Sequence, residues 1–131
     1  MALLLEQETY KIIGACMAVH KELGCGFLES VYEEALEREF IKRNIPHKRQ
    51  CKLNVMYDGK PLDKYFKADF LCYNQIILEI KAASFIHPDN YKQVTNYINT
   101  ASKPVGLLVN FGESSLKWKR FINSKAIEKS K

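Results

Sequence analysis

Apolar residues recur along this chain with two different periods, and the change between them divides it. From Glu6 to Glu22, Ile13, Cys16, Met17 and His20 fall on one stripe of a predicted helix, and Gly24 is placed to end it. A second helix is predicted from Phe27 to Arg43, with Leu28, Val31, Tyr32, Ala35 and Leu36 on its apolar face. The period then drops to two. Cys51, Leu53, Val55 and Tyr57 alternate with Lys52, Asn54 and Met56, which predicts a strand ending at the Asp58-Gly59 turn. Two more strands are expected over Leu62 to Cys72 and Ile76 to Lys81. Pro88 suits a first helical position and opens a helix that carries on to about Ser102. Val105 to Phe111 is nearly all apolar, as expected of a buried strand. Leu116 to Ile122 predicts a last edge strand before a polar, charged tail. The predicted order is therefore ααβββαβ with a final β.

A length of 131 residues has room for one domain with a real core and no room for two. With no repeat, low-complexity stretch or Pro/Gly/Ser linker, residues 1–131 read as one domain, its core about 6–122 and its charged tail 123–131. No apolar run approaches the ~20 residues that a membrane span needs. The opening Met1 to Leu5 is too short for a secretory signal, lacks a basic leader and is followed by Glu6 and Glu8, so the cytoplasm is the expected compartment. Cys16, Cys25, Cys51 and Cys72 form no CxxC pair and have no His cluster nearby, which favours free thiols over zinc or a disulfide framework. The net charge of +5 gathers in two clusters. One is Lys42, Arg43, Lys48, Arg49 and Lys52; the other is Lys117, Lys119, Arg120, Lys125, Lys129 and Lys131. Such charge can collect phosphate backbones, but by itself it serves equally to keep a protein soluble.

The strands around residue 74 carry the chemistry. Phe66, Ala68, Phe70 and Cys72 are expected on one face of the second strand, and Ile76, Leu78 and Ile80 on one face of the third. Hydrophobic pattern sets hairpin register, and only a register centred on Asn74 pairs Cys72 with Ile76, Phe70 with Leu78 and Ala68 with Ile80. That register sets Asp69 opposite Glu79, with the carboxylates roughly 5 Å apart at Cβ. Like charges so placed repel, and charge is costly in an apolar sheet. Lys81 points to the same face and supplies one compensating charge; a hard divalent cation held by carboxylate oxygens would supply more. The bland alternative is an exposed acidic pair with Lys81 as salt-bridge partner. Glu29 lies at the border of its helix's apolar stripe, either as a third carboxylate or as a first-turn residue favouring the helix dipole. Gln93 and Tyr97 share a helix face, although a helical tyrosine is more often core. His20 reads as a satisfied core histidine before it reads as a ligand.

The stretch from Val19 to Tyr32 resembles the signature of the GxxExxY proteins, here Gly26, Glu29 and Tyr32. That family is assigned to the PD-(D/E)XK nuclease superfamily, whose metal motif is similar to Asp69 followed by Glu79-Ile80-Lys81. Gln93-Val94-Thr95-Asn96-Tyr97 is similar to the QxxxY motif of recombination-type members. Ala68 stands where the motif has proline. The resemblance implies a restriction-endonuclease-like α/β fold: an αβββαβ core, an extra N-terminal helix and a mixed central sheet. It also implies that Asp69, Glu79 and the Ile80 backbone carbonyl hold Mg²⁺ (or Mn²⁺), with Glu29 completing the acidic shell. Lys81 would orient or deprotonate the attacking water, and Gln93 and Tyr97 would position substrate or Lys81.

The expected function is that of a Mg²⁺-dependent phosphodiester hydrolase, its nucleic-acid contacts drawn from Lys117, Lys119 and Arg120. The alternative is a non-catalytic nucleic-acid- or partner-binding module that keeps the fold. No membrane partner is expected; the sequence does not give the oligomeric state, although a domain this small often cuts duplexes as a homodimer. Carboxylates facing phosphate favour the enzyme, because a pure binder has no use for them.

Overall fold

The computed structural model describes residues 4–129, with side chains to 126. Met1 to Leu3 at the start of the chain, and Ser130 and Lys131 of the basic tail, lie outside the described residues. Two helices open the chain, α1 (Glu6–Leu23) and α2 (Glu29–Lys42). The second starts later than its apolar pattern suggests, because Leu28 is extended, with φ −70° and ψ 155°, and serves as its N-cap. Strands β1 (His47–Tyr57) and β2 (Lys60–Cys72) form a long antiparallel hairpin. Its two-residue turn places Asp58 and Gly59 at φ of 51° and 77°, the positive pair that a type I′ turn requires. After β3 (Ile76–Lys81) the helix α3 (Pro88–Thr100) crosses over to the parallel strand β4 (Val105–Asn110), and β5 (Lys117–Ile122) closes the sheet antiparallel to it. The five strands lie in sequence order, β1-β2-β3-β4-β5. The expected charged tail is in part a short helix, α4 (Ser124–Lys129). This is the mixed α/β fold expected from the chain, and no described helix is long and apolar enough to cross a membrane.

Helices α1 and α2 cover one face of the sheet. Ile12, Cys16, Tyr32, Leu36 and Phe40 pack there on Phe70, Cys72, Ile76, Leu78, Ile80, Val105 and Leu107. Met17, expected on the stripe of α1, is 47% exposed, and Ile12 and Val19 take the inner positions instead. Helix α3 covers the other face, where Tyr97 and Ile98 cluster with Leu53, Ala68, Leu71 and Ile77. The four cysteines are free, and burial pushes up the thiols of Cys16 and Cys72 in the core.

The expectation that Phe66, Ala68, Phe70 and Cys72 share one face is corrected here. Phe70 and Cys72 join the α1/α2 core, but Ala68 packs with α3, and the Phe66 ring lies 4.7 Å from that of Tyr97. The alternation breaks at Asp69. Opposite it on β1, Gln50 adopts a left-handed φ of 52°, and the β2–β3 ladder stops at Phe70↔Leu78.

The crossover is tight. A Cβ on Gly106 would lie 2.6 Å from Val94 Cγ1 and 2.9 Å from Ile98 Cγ2, both on buried, β-branched side chains with little freedom to give way. Gly106→Ala should therefore destabilise the protein by about 1–3 kcal/mol, the usual cost of overpacking. A urea melt gives the value directly; an unchanged midpoint would mean that α3 is not seated against β4 as described.

Candidate active site

The site forms where β2 and β3 part. The register centred on Asn74 is present, with Cys72↔Ile76 and Phe70↔Leu78 paired, but the backbone ladder does not reach Ala68 and Ile80. Side chains take its place. The Ile80 N–H donates to Asp69 Oδ2 at 2.9 Å, and the Asp69 N–H donates to Glu79 Oε1 at 3.4 Å. Asp69 and Glu79 thus converge, each tied to the other's strand. Glu79 is only 4% exposed, whereas Asp69 is half-buried. Burial, and behind it the neighbouring Asp69 carboxylate, push the Glu79 carboxyl up to about 10. At neutral pH the ion-free pair therefore keeps a proton.

Lys81 continues the row on β3. Its Nζ donates to Gln93 Oε1 at 3.1 Å, and Gln93 Nε2 in turn donates to the Tyr97 hydroxyl at 3.3 Å. Gln93 and Tyr97 are four apart on α3, so one helix face holds the whole relay. Burial, together with the nearby Glu79, keeps the Tyr97 phenol above its usual range. The backbone after Lys81 is held as firmly. The Phe111 N–H donates to the Lys81 carbonyl at 2.7 Å. The fully buried Asn110 accepts from the Ala83 N–H at 3.0 Å and donates to the Ala83 carbonyl at 2.9 Å. Gly112 lies against the Ala82–Ala83 backbone so closely that a Cβ would come within 2.3 Å of Ala83 N.

Helix α2 forms the opposite wall. A hollow of about 620 Å³ is lined by Glu29, Ser30, Glu33, Gln50, Asp69 and Ala82. Glu29 stands exposed at its rim, in the first turn of α2. The loop before it is clasped by Tyr32, whose hydroxyl donates to the Gly24 carbonyl at 2.5 Å and accepts the Phe27 N–H at 3.3 Å. The Tyr32 ring stacks on Phe111, 4.7 Å between centroids, and Gly26 takes a φ of 112° that side chains rarely adopt. Gly26 and Tyr32 therefore place the helix end that carries Glu29. His20 half-buries against Phe111 and hydrogen-bonds the Glu113 carbonyl at 2.9 Å.

Two neighbours of the site were not visible in the pattern of the chain. Gln50 Nε2 bridges Glu33 Oε1 (2.5 Å) and Asp69 Oδ1 (3.4 Å). Asn110 is the other; its only signal is that it is polar inside the apolar run Val105 to Phe111.

The basic residues of the last strand do not form one surface. Lys119 Nζ lies 4.3 Å from the centre of the Tyr91 ring on α3, while Arg120, on the other face, bonds the Leu4 carbonyl and, at 3.2 Å, Thr9 Oγ1. Lys117 is exposed.

The donor set suits a hard cation. Two carboxylates converge in a place too dry for both to ionise, and a divalent ion could replace the proton that Glu79 retains. Among the described residues no group of three or more His, Cys, Asp or Glu side chains forms a metal cluster, so Glu29 stands apart from the pair.

A family model described as the PD-(D/E)XK nuclease superfamily matches residues 6–121. Among solved structures, the alkaline exonuclease LHK-Exo from Laribacter hongkongensis is similar in fold. The TM-score is 0.54 over 99% of this chain and 76% of that one, at 11% sequence identity. No curated protein matches the chain.

Proposed function

The chain belongs to the PD-(D/E)XK nuclease superfamily, and we propose that it is a Mg²⁺- or Mn²⁺-dependent phosphodiester hydrolase of the GxxExxY type, acting on nucleic acid. The observation that carries this reading is the convergence of Asp69 and Glu79 beside a lysine whose ammonium is anchored on Gln93. In this reading residues 6–122 are one catalytic domain. Asp69, Glu79 and the Ile80 backbone carbonyl would hold the ion, and Glu29, exposed at the rim of the hollow, would complete the acidic shell from there. When bound, the ion supplies Lewis acidity that polarises the phosphoryl group and lowers the pKa of water. Lys81 supplies a fixed positive charge where negative charge develops on the phosphate oxygens. Gln93, backed by Tyr97, holds that ammonium in place, and Lys117 and Lys119 lie within the same basic edge strand as further phosphate contacts.

Two measurements test the reading together. Mn²⁺ or Mg²⁺ should raise the melting temperature in proportion to the logarithm of ion concentration above Kd, because the unfolded chain lacks the paired carboxylates. Asp69→Asn should remove most of that rise. Labelled single- and double-stranded DNA and RNA should then be cleaved by the wild type with either ion. Ion binding with no cleavage of any of them would leave a nucleic-acid-binding module in place of the enzyme.

A further inference from the structure

The β1–β2 hairpin reaches well beyond the rest of the sheet. Only Phe70 to Cys72 of β2 pair with β3, and residues 60–67 are all exposed. Between Cys51 and Ala68 this arm carries four lysines (Lys52, Lys60, Lys64, Lys67) against two aspartates (Asp58, Asp63). A register irregularity shapes it. From the turn the pairing runs Tyr57↔Lys60 and Met56↔Pro61, but then shifts between Asn54 and Met56 to Asn54↔Tyr65. Two additional β2 residues are thereby accommodated, and Lys52 comes to lie directly opposite Lys67. Like charges so opposed destabilise a ladder. No salt bridge engages either lysine among the described residues. Lys52 Nζ instead lies 4.5 Å from the centre of the Tyr65 ring, which is 46% exposed. Two residues farther along the two strands stand Gln50 and Asp69, hydrogen-bonded to each other.

We propose that this face of the arm, Lys52, Lys67 and Tyr65, is a nucleic-acid-binding surface that holds the sugar–phosphate backbone next to the phosphodiester at Asp69 and Glu79. The proposal rests on the nuclease reading and names where its substrate lies. A polyanion relieves the opposed lysines in the way that a cation relieves the opposed carboxylates. Lys67 is two residues from Asp69, about 7 Å along the strand, so one chain of phosphates can touch both. The exposed Tyr65 ring gives a base a flat surface to stack on. An acidic peptide would pair with the lysines and leave that ring without a planar partner.

The test is fluorescence-anisotropy binding of labelled single-stranded and duplex DNA oligonucleotides in EDTA across a salt series. It compares wild type with a Lys52→Gln/Lys67→Gln double variant and with Tyr65→Ala. The double variant should bind about tenfold more weakly at 0.1 M salt. Its slope of log K against log salt should be shallower by about 1.4 to 1.8, two phosphate contacts' worth. Tyr65→Ala should weaken single-strand binding by about fivefold or more with no change of slope, since the ring carries no charge. The Mn²⁺-induced rise in melting temperature should be the same in all three proteins, which shows that the fold and ion site are intact. An unchanged slope in the double variant, with wild type that binds and cleaves, overturns the arm alone. Wild type that neither binds nor cleaves nucleic acid overturns the arm and the nuclease reading together. Polyglutamate that competes as well as unlabelled oligonucleotide, at equal charge, overturns the choice of nucleic acid.

Discussion

Lys81→Ala should lower the rate of nucleic-acid cleavage by about two to three powers of ten while leaving affinity nearly unchanged. That range is the usual loss when one preorganised charge-stabilising group is removed. Binding should survive because the ammonium is not free to serve as a general phosphate contact: it donates to Gln93 Oε1, which is itself backed by Tyr97. The backbone should survive as well. Lys81 pairs with Asn110 in the β3–β4 ladder, its carbonyl accepts from the Phe111 N–H, and neither bond involves the side chain. Lys81→Arg should rescue little, since the wider guanidinium cannot occupy the same seat on Gln93 and cannot release a proton. Gln93→Leu keeps the charge but frees it, so its loss of rate should be smaller than that of Lys81→Ala. Single-turnover cleavage and anisotropy binding, run on the same preparations, separate the two effects. A fall in affinity that matches the fall in rate would assign Lys81 to substrate binding.

Most of the scaffold was legible because it follows from period and punctuation. The change from a helical stripe to alternation before Cys51, the Asp58-Gly59 turn and Pro88 at the head of α3 each mark a boundary by local chemistry. The position of Asp69 against Glu79 was legible too, because apolar residues on β2 and β3 admit one register about Asn74. The manner of their meeting was not. Alternation assumes an unbroken pleat, whereas here the ladder ends at Phe70↔Leu78 and the Asp69 side chain takes the Ile80 N–H. Gln50 was hidden for a related reason. Counting back from the two-residue turn would set it opposite Lys67; only the shift between Asn54 and Met56 brings it opposite Asp69. Such a bulge has no apolar signature. Surface charge was misleading as a cluster for a simpler reason: sequence neighbours on a strand point to opposite faces. Lys119 accordingly lies over Tyr91 while Arg120 turns to Thr9. Within the other basic cluster, Arg43 pairs with Glu39, and Arg49 with Glu33 and Glu37.

Glu79→Gln should make the ion-free protein more stable at alkaline pH and, at the same time, remove its response to divalent ions. The carboxyl of Glu79 is pushed up to about 10, by burial first and by Asp69 second. In the unfolded chain it titrates near its ordinary value, about 4.5. Between those limits the folded protein binds a proton that the unfolded chain does not. Stability must therefore fall as pH rises, by up to about 1.4 kcal/mol per pH unit for one proton. From pH 6 to pH 9 that amounts to up to roughly 4 kcal/mol. An amide keeps the shape of the protonated carboxyl and its oxygen acceptor for the Asp69 N–H, but it cannot ionise, so the slope should flatten in the Gln variant. Asp69→Asn should lessen the slope without abolishing it, since burial is the larger cause. Saturating Mn²⁺ should oppose the alkaline loss in wild type by taking the place of the proton, and it should do little for Glu79→Gln. Urea titrations in EDTA at pH 6, 7, 8 and 9, repeated with Mn²⁺ at pH 7, decide the matter. A wild-type stability that stays level or climbs across that range would mean that Glu79 is already ionised in the fold. The pair would then hold no proton for a cation to replace, whatever the protein does to nucleic acid.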